Sequence, residues 1–120
     1  MAVKLPQLYS DSYHLSLEVL TKTKNFPKHY RATLARRLEE RSLDLCLNVR
    51  KLFLTKKHLV EETNHLMREA SHAVDDLKLL WQLCRDLRLV SPGFFGELTE
   101  KMCLIGEQLG GLSRCYRDKK

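Results

Sequence analysis

Two Glu-x-x-His pairs are the residues of this sequence best spaced for metal chemistry. Glu62 precedes His65 by three positions, Glu69 precedes His72 by the same step, and His58 lies seven residues before His65. Di-iron bundle proteins use this step, with two different helices each supplying one copy. Here both copies lie on one predicted helix, about 10 Å apart along its axis. One protomer cannot close both pairs around a shared metal pair, so we expect a solvated polar face and no metal or cofactor.

Other catalytic signals are weaker. The sequence has no Gly-rich phosphate loop and no nucleophile with a base placed by a known motif. The four cysteines stand singly, without a Cys-x-x-Cys pair, and are predicted to be small core or interface residues: Cys46, Cys84, Cys103 and Cys115. We therefore predict that the protein is not an enzyme.

The positive charge is concentrated in one region. Residues 22–57 contain eleven Lys or Arg and three acids, a net charge of +8, whereas residues 1–21 and 58–120 each sum to −1. Such a surface can neutralise phosphates with little sequence specificity. The alternative is a solvated face partly paired with Glu39, Glu40 and Asp44. The predicted nucleic-acid-binding residues are Lys24, Lys28, Arg31, Arg36, Arg37, Arg41, Arg50, Lys51, Lys56 and Lys57.

Apolar periodicity places these charges on helices. A first helix is predicted over residues 5–23, and a second begins near Pro27, a residue that suits the first helical position. A break near residues 55–58 precedes a third helix that ends near Leu89, and Ser91 with Pro92 opens a fourth. The predicted fold is a single all-α domain over residues 1–120, an antiparallel up-down-up-down four-helix bundle. The core face of the first helix is predicted to be Leu5, Leu8, Tyr9, Tyr13, Leu17 and Leu20.

Two further patterns concern packing between helices. Glycine costs about 1 kcal/mol relative to alanine within a helix, so we expect Gly106, Gly110 and Gly111 to permit close helix packing. A frayed helix end at Gly110 and Gly111 is the alternative. A second apolar stripe lies away from the predicted core and is predicted to form an oligomer interface: Leu43, Leu47, Leu54, Leu79 and Leu83.

Three segments, NFPKHYRATLARRLEERSLDL, DLKLLWQLCRDLRLVS and IGEQLGGLSR, resemble the accessory variability determinant (Avd) family of diversity-generating retroelements. Leu112 and Leu104 stand where family members usually have tryptophan and glutamate. These departures leave open an alternative relative, the four-helix proteins encoded in ribosomal RNA intervening sequences.

The Avd resemblance implies a four-helix bundle that assembles as a barrel-like homopentamer. It implies a non-enzymatic partner of a reverse transcriptase, which binds that enzyme and template RNA or cDNA through a basic surface and supports mutagenic copying. The sequence has no apolar stretch approaching the roughly 18 residues of a membrane span and no secretory signal at its start. We therefore expect a cytoplasmic protein.

Overall fold

The computed structural model of the chain describes residues 5–56 and 59–117. The protein is all-helical in these ranges, with four long helices: α1 (Leu5–Thr23), α2 (Arg36–Leu54), α3 (Val60–Asp86) and α4 (Pro92–Arg117). A short α-helical turn, Lys28–Tyr30, and a π-helical segment, Arg31–Ala35, lead into α2. Helix α1 packs on α2, α2 on α3, α3 on α4, and α4 on α1. This arrangement is that expected for a four-helix bundle.

The connections between helices follow from local chemistry. Thr55 ends α2 in an extended conformation, and its hydroxyl and its amide both donate hydrogen bonds to the Lys51 carbonyl oxygen. The predicted break near residues 55–58 is therefore confirmed, although Lys57 and His58 lie outside the described residues. At the start of α4, the Ser91 hydroxyl accepts a hydrogen bond of 3.1 Å from the Phe94 amide, as expected of an N-cap residue.

The π-helical segment was not predicted. Pro27 is extended, with φ −56° and ψ 147°, and Tyr30 then departs from helical geometry before the π turns begin. A π turn is one residue wider than an α turn. Positions before Arg36 are consequently rotated relative to an ideal α-helix, which a search for a 3.6-residue period does not detect.

The predicted core face of α1 is confirmed at Leu8, which is buried, and at Tyr9, which packs against the core, but it is wrong further along the helix. Tyr13, Leu17 and Leu20 are exposed by 47%, 46% and 37%, whereas Leu15 and Val19 are buried. Buried serines and a threonine share the true inner face, at positions 12, 16 and 23. Because these polar residues interrupt the buried stripe, the outer stripe is the more continuously apolar of the two.

The core is one cluster drawn from all four helices. Trp81 is fully buried and packs edge-on against Phe26 and Phe94, with ring centroids 6.3 and 5.9 Å apart. The other large side chains that are fully buried are mostly aliphatic: Leu8, Leu15, Val19, Leu38, Leu45, Leu52, Leu77, Leu98, Met102, Ile105 and Leu109.

Helix α3 ends three residues earlier than predicted. Arg88 has φ 61°, the Leu89 amide donates to the Cys84 carbonyl at 2.8 Å, and the Arg88 amide donates to the Arg85 carbonyl at 3.0 Å. These two bonds and the left-handed residue define a Schellman motif, in which glycine is the usual occupant of the left-handed position. Arginine at that position hides the helix end from a sequence-based search.

Candidate nucleic-acid interface

The ten predicted nucleic-acid-binding residues do not form one continuous stripe. Five of them lie at the α1–α2 end of the bundle: Lys24, Lys28, Arg31, Arg36 and Arg37. Arg50, Lys51 and Lys56 lie toward the other end, and Lys57 is outside the described residues. Arg36 and Arg50 are separated by fourteen positions on α2, or about 21 Å. The predicted surface is therefore divided into two groups.

Arg41 has a structural role that distinguishes it from the other nine. Its guanidinium contacts Asp44 at 2.8 Å and, across the α2–α3 groove, Asp76 at 3.1 Å. Two carboxylates neutralise this cation and hold it between the helices. The prediction that Arg41 contacts nucleic acid is therefore corrected, because its guanidinium is occupied by these two carboxylates.

Two other cations are partly engaged. Arg36 lies 3.5 Å from the carboxylate of Glu40, but its side chain remains 71% exposed, so the pair is weak. Arg31 donates from Nε to the Phe26 carbonyl oxygen at 3.3 Å. The structure gives no ion pair to Lys24, Lys28 or Arg37 among the described residues, and all three are exposed.

The bundle adds two arginines that the sequence analysis did not include. The Phe26–Trp81–Phe94 contacts bring the end of α1, the end of α3 and the start of α4 together. Arg85 and Arg88 are consequently at the same end as Lys24 and Lys28. The antiparallel topology could have indicated this, because the carboxyl end of a third helix returns beside the amino end of the second.

We define the cationic end as Lys22, Lys24, Lys28, Arg31, Arg36, Arg37, Arg85 and Arg88. Residues 22–40 and 85–92, which contain it, hold these eight cations and three acids, a net charge of +5 out of +6 for the whole chain. Residues 50–62 at the other end hold four cations and two acids, or +2. The cationic end is thus the stronger candidate for contact with a polyanion.

Two aromatic rings at the start of α4, Phe94 and Phe95, also lie at this end. The Lys22 ammonium is 4.8 Å from the centroid of Phe94, and the Arg85 guanidinium is 4.6 Å from that of Phe95. Both rings are half-buried. A cation lies over each of these two rings, so it competes with a base for that face of the ring.

All five leucines predicted to form an oligomer interface are exposed. Leu43, Leu47 and Leu54 on α2 are 44%, 52% and 66% exposed, and Leu79 and Leu83 on α3 are 58% and 43% exposed. Whether another copy covers them stays a prediction.

The exposed apolar residues of α1, which had been predicted to lie in the core, extend the apolar surface that the exposed leucines of α2 form. The Ser16 hydroxyl donates to the Ser42 carbonyl at 2.9 Å, which fixes α1 against α2 at this level. We define the α1/α2 apolar face by the exposed residues that flank this contact: Tyr13, Leu17, Leu20, Leu43 and Leu47.

Gly106 and Gly110 do not bring two described helices into close contact, contrary to the prediction, whereas a packing role of Gly111 stays a prediction. A Cβ built on Gly106 meets no described atom within 4 Å, and one on Gly110 meets only the Arg114 side chain at 3.6 Å. Gly106 and Gly110 instead line a groove of about 460 Å³ between α3 and α4. The alternative of a helix end is also wrong, because α4 continues through Gly111 to Arg117.

The Glu-x-x-His residues lie on the outer surface of α3. Glu69 and His72 pair with each other at 3.7 Å, and His65 is exposed. Within the described ranges, no group of three or more His, Cys, Asp or Glu is arranged to hold a metal ion.

The cysteines differ in their surroundings. Cys84 is fully buried, and burial raises the pKa of its thiol from 9.0 to about 11. Burial also raises the pKa of Cys46, against a smaller lowering by the hydrogen bond with Ser16. Cys103 is exposed and borders the α3–α4 groove. The Cys115 side chain lies outside the described residues.

None of the described helices is long and apolar enough to cross a membrane. Comparison with protein families finds no family model that matches the chain. A search of curated proteins likewise finds no match.

Proposed function

We propose that this chain is a non-enzymatic RNA-binding assembly factor that acts with a reverse transcriptase, in the manner of the accessory proteins of diversity-generating retroelements. The observation that carries the RNA-binding part is the cationic end, where two separate stretches of the chain, residues 22–40 and 85–92, contribute eight Lys or Arg. Phosphate contacts supply affinity without reading sequence, and such a surface suits them. The retroelement role is supported by the three Avd-like segments.

Assembly of several copies is the second part of the proposal. The α1/α2 apolar face and the exposed leucines of α3 are different surfaces, separated by a polar groove lined by Arg41, Asp44 and Asp76. A contact between two different surfaces is heterologous, and heterologous contacts that close generate rings. An odd-numbered ring, including the homopentamer that the Avd resemblance implies, requires such contacts. Exposed apolar patches of this kind are typical of interaction sites.

Retention of a labelled stem-loop RNA on a filter tests the RNA-binding part. We expect retention at low salt that falls steeply as salt rises, because each phosphate contact releases counterions. Reversing the charges of Arg36, Arg37, Arg50 and Lys51 together is expected to abolish retention. Retention equal to that of the unchanged protein would contradict RNA binding through these cations.

A purely structural bundle, of the type encoded in ribosomal RNA intervening sequences, is the alternative. Its basic surface would meet an acidic protein instead of RNA. Native mass spectrometry of the purified protein before and after nuclease treatment separates the two, because only RNA binding predicts nucleic acid that nuclease removes.

The retroelement role has its own test. A reverse transcriptase gene with paired template and variable repeats beside this gene is expected, together with co-purification of that enzyme with this protein. Absence of both would leave an RNA-binding bundle outside retroelements.

A further inference from the structure

Arg88 occupies a backbone conformation that its side chain makes costly. Among the described residues other than glycine, it is the one with positive φ, at 61°. In the Schellman motif that ends α3, glycine would satisfy the same two backbone hydrogen bonds without a Cβ clash. The fold therefore needs the left-handed conformation but does not need an arginine to provide it.

No contact in the described part of the chain explains the arginine. Arg88 is exposed, and the described ion pairs do not include it. Its neighbour Arg85 differs, because that guanidinium contacts Asp86 at 3.1 Å and lies over Phe95. Strained positions retained without a structural need are often functional.

The position of Arg88 adds a second observation. Trp81 lies about two turns before Arg88 and contacts Phe26, which is separated from Lys28 only by Pro27. The α3–α4 turn therefore lies at the cationic end, where Lys24 and Lys28 are also exposed. Three exposed cations from two separate connections therefore lie at the same end of the bundle.

We propose that Arg88, Lys24 and Lys28 form a phosphate-contacting site for the RNA backbone at the cationic end. This inference rests on the RNA binding proposed above and assigns it a location. The planar guanidinium of Arg88 donates two hydrogen bonds to one phosphate, whereas the two lysines act as mobile point charges. Specificity for base identity is not expected, because contacts to phosphates carry no sequence information.

An RNA backbone suits this surface better than an acidic protein does. Protein interfaces are depleted of charged residues at their centres, whereas the cationic end combines eight cations with three acids. A backbone with regularly spaced phosphates can pair with several of them at once.

The salt dependence of RNA affinity tests the role of Arg88. Log affinity falls as log salt rises, and each lost phosphate contact makes this slope less steep by about 0.7–0.9. Arg88→Gly should therefore reduce the steepness by that amount. It should also weaken binding about five- to eightfold at roughly 0.1 M salt. Arg88→Lys should keep most of the slope. Arg68→Ala is the matched control, because it removes an exposed arginine from the middle of α3 and should leave the slope unchanged.

A pair of double variants tests the location. Lys24→Glu with Lys28→Glu reverses two charges at the cationic end, and Arg50→Glu with Lys51→Glu reverses two at the other end. All four side chains are exposed, so circular dichroism should show an unchanged helical fold in both variants. The first variant is expected to lose at least tenfold more RNA affinity than the second, and poly-glutamate is expected to compete poorly for the unchanged protein.

The outcomes separate the two proposals. RNA binding that survives in the Lys24/Lys28 variant and is lost in the Arg50/Lys51 variant would overturn the location while leaving RNA binding intact. An unchanged salt slope in Arg88→Gly would overturn the assignment of Arg88. Poly-glutamate that competes as strongly as RNA would overturn the choice of partner, and absence of RNA binding by the unchanged protein would overturn both proposals.

Discussion

At the scale of single residues, Arg88 shows a conflict between stability and charge. A left-handed conformation costs a residue with a Cβ about 1–2 kcal/mol, a cost that glycine avoids. Glycine in turn loses more conformational entropy on folding, which offsets part of that gain. Replacing this arginine by glycine should therefore strengthen the fold because it removes the Cβ, although it also removes a charge.

Arg88→Gly is expected to raise the free energy of unfolding by about 0.5–1 kcal/mol, measured by urea denaturation at fixed protein concentration. Arg88→Ala serves as the control, because it removes the same charge but keeps the Cβ, and it should give no such gain. If Arg88→Gly proves less stable than Arg88→Ala, the left-handed conformation is not a source of strain.

Gly106 presents a related question on α4. Its Cβ position is open among the described residues, so the protomer gains nothing visible from the absence of a side chain. Glycine is less favourable than alanine within a helix. The α3–α4 groove beside Gly106 leaves room for the methyl group of an alanine.

Gly106→Ala is predicted to stabilise the protomer by about 0.5–1 kcal/mol in urea denaturation. Gly96→Ala is a matched control, since its Cβ would also meet no described atom within 4 Å. A loss of stability in Gly106→Ala alone would show that the glycine is required for packing after all.

At the scale of helices, α1 is the element whose position depends most on its polar residues. Ser16 is buried against α2, where its hydroxyl is satisfied by the Ser42 carbonyl oxygen. Thr23 is buried and donates to the Glu39 carboxylate at 2.6 Å. Small side chains that form hydrogen bonds therefore lie at the contact between α1 and α2. Close helix packing had instead been predicted at the glycines of α4.

The orientation of α1 can be tested by comparing two leucines. Leu15→Ala is expected to cost about 2–5 kcal/mol, because Leu15 is 1% exposed and its loss leaves a cavity in the core. Leu17→Ala, at a position 46% exposed, should cost less than about 1 kcal/mol in the same denaturation measurement. Equal costs for the two variants would favour the orientation that periodicity alone predicted.

These elements show what could be predicted from the sequence. The spacing of apolar residues, together with Pro27, Ser91 and Pro92, was enough to predict the four helices and the Ser91 cap. These features determine helix formation and helix starts through contacts within a few residues of the chain. The orientation of α1 and the early end of α3 could not be predicted in the same way. The first depends on Ser16 meeting Ser42 on another helix, and the second on an arginine in a conformation that normally selects glycine.

The candidate site was predictable in charge but not in arrangement. The strong positive charge of residues 22–57 identified most of the cations at the α1–α2 end. Arg85 and Arg88 were missed because they join that end only through the antiparallel return of α3. Arg41 was included although Asp76, thirty-five residues away, neutralises it in the folded chain.

At the scale of the whole molecule, different parts of the surface suit two different kinds of interaction. The α1/α2 apolar face and the leucines of α3 suit contacts between copies, which depend on burial of apolar area and little on salt. The cationic end suits phosphates, whose binding weakens as salt rises. The two interactions should therefore respond differently to the same change in buffer.

Sedimentation velocity of nuclease-treated protein, with and without a stem-loop RNA, measures both interactions at once. We expect a particle several times heavier than the 14.1 kDa chain at all salt concentrations. This particle should bind RNA at about 0.05 M salt and release it at about 0.5 M. A 14.1 kDa monomer whose sedimentation is unaffected by RNA in dilute buffer would rule out both assembly and RNA binding.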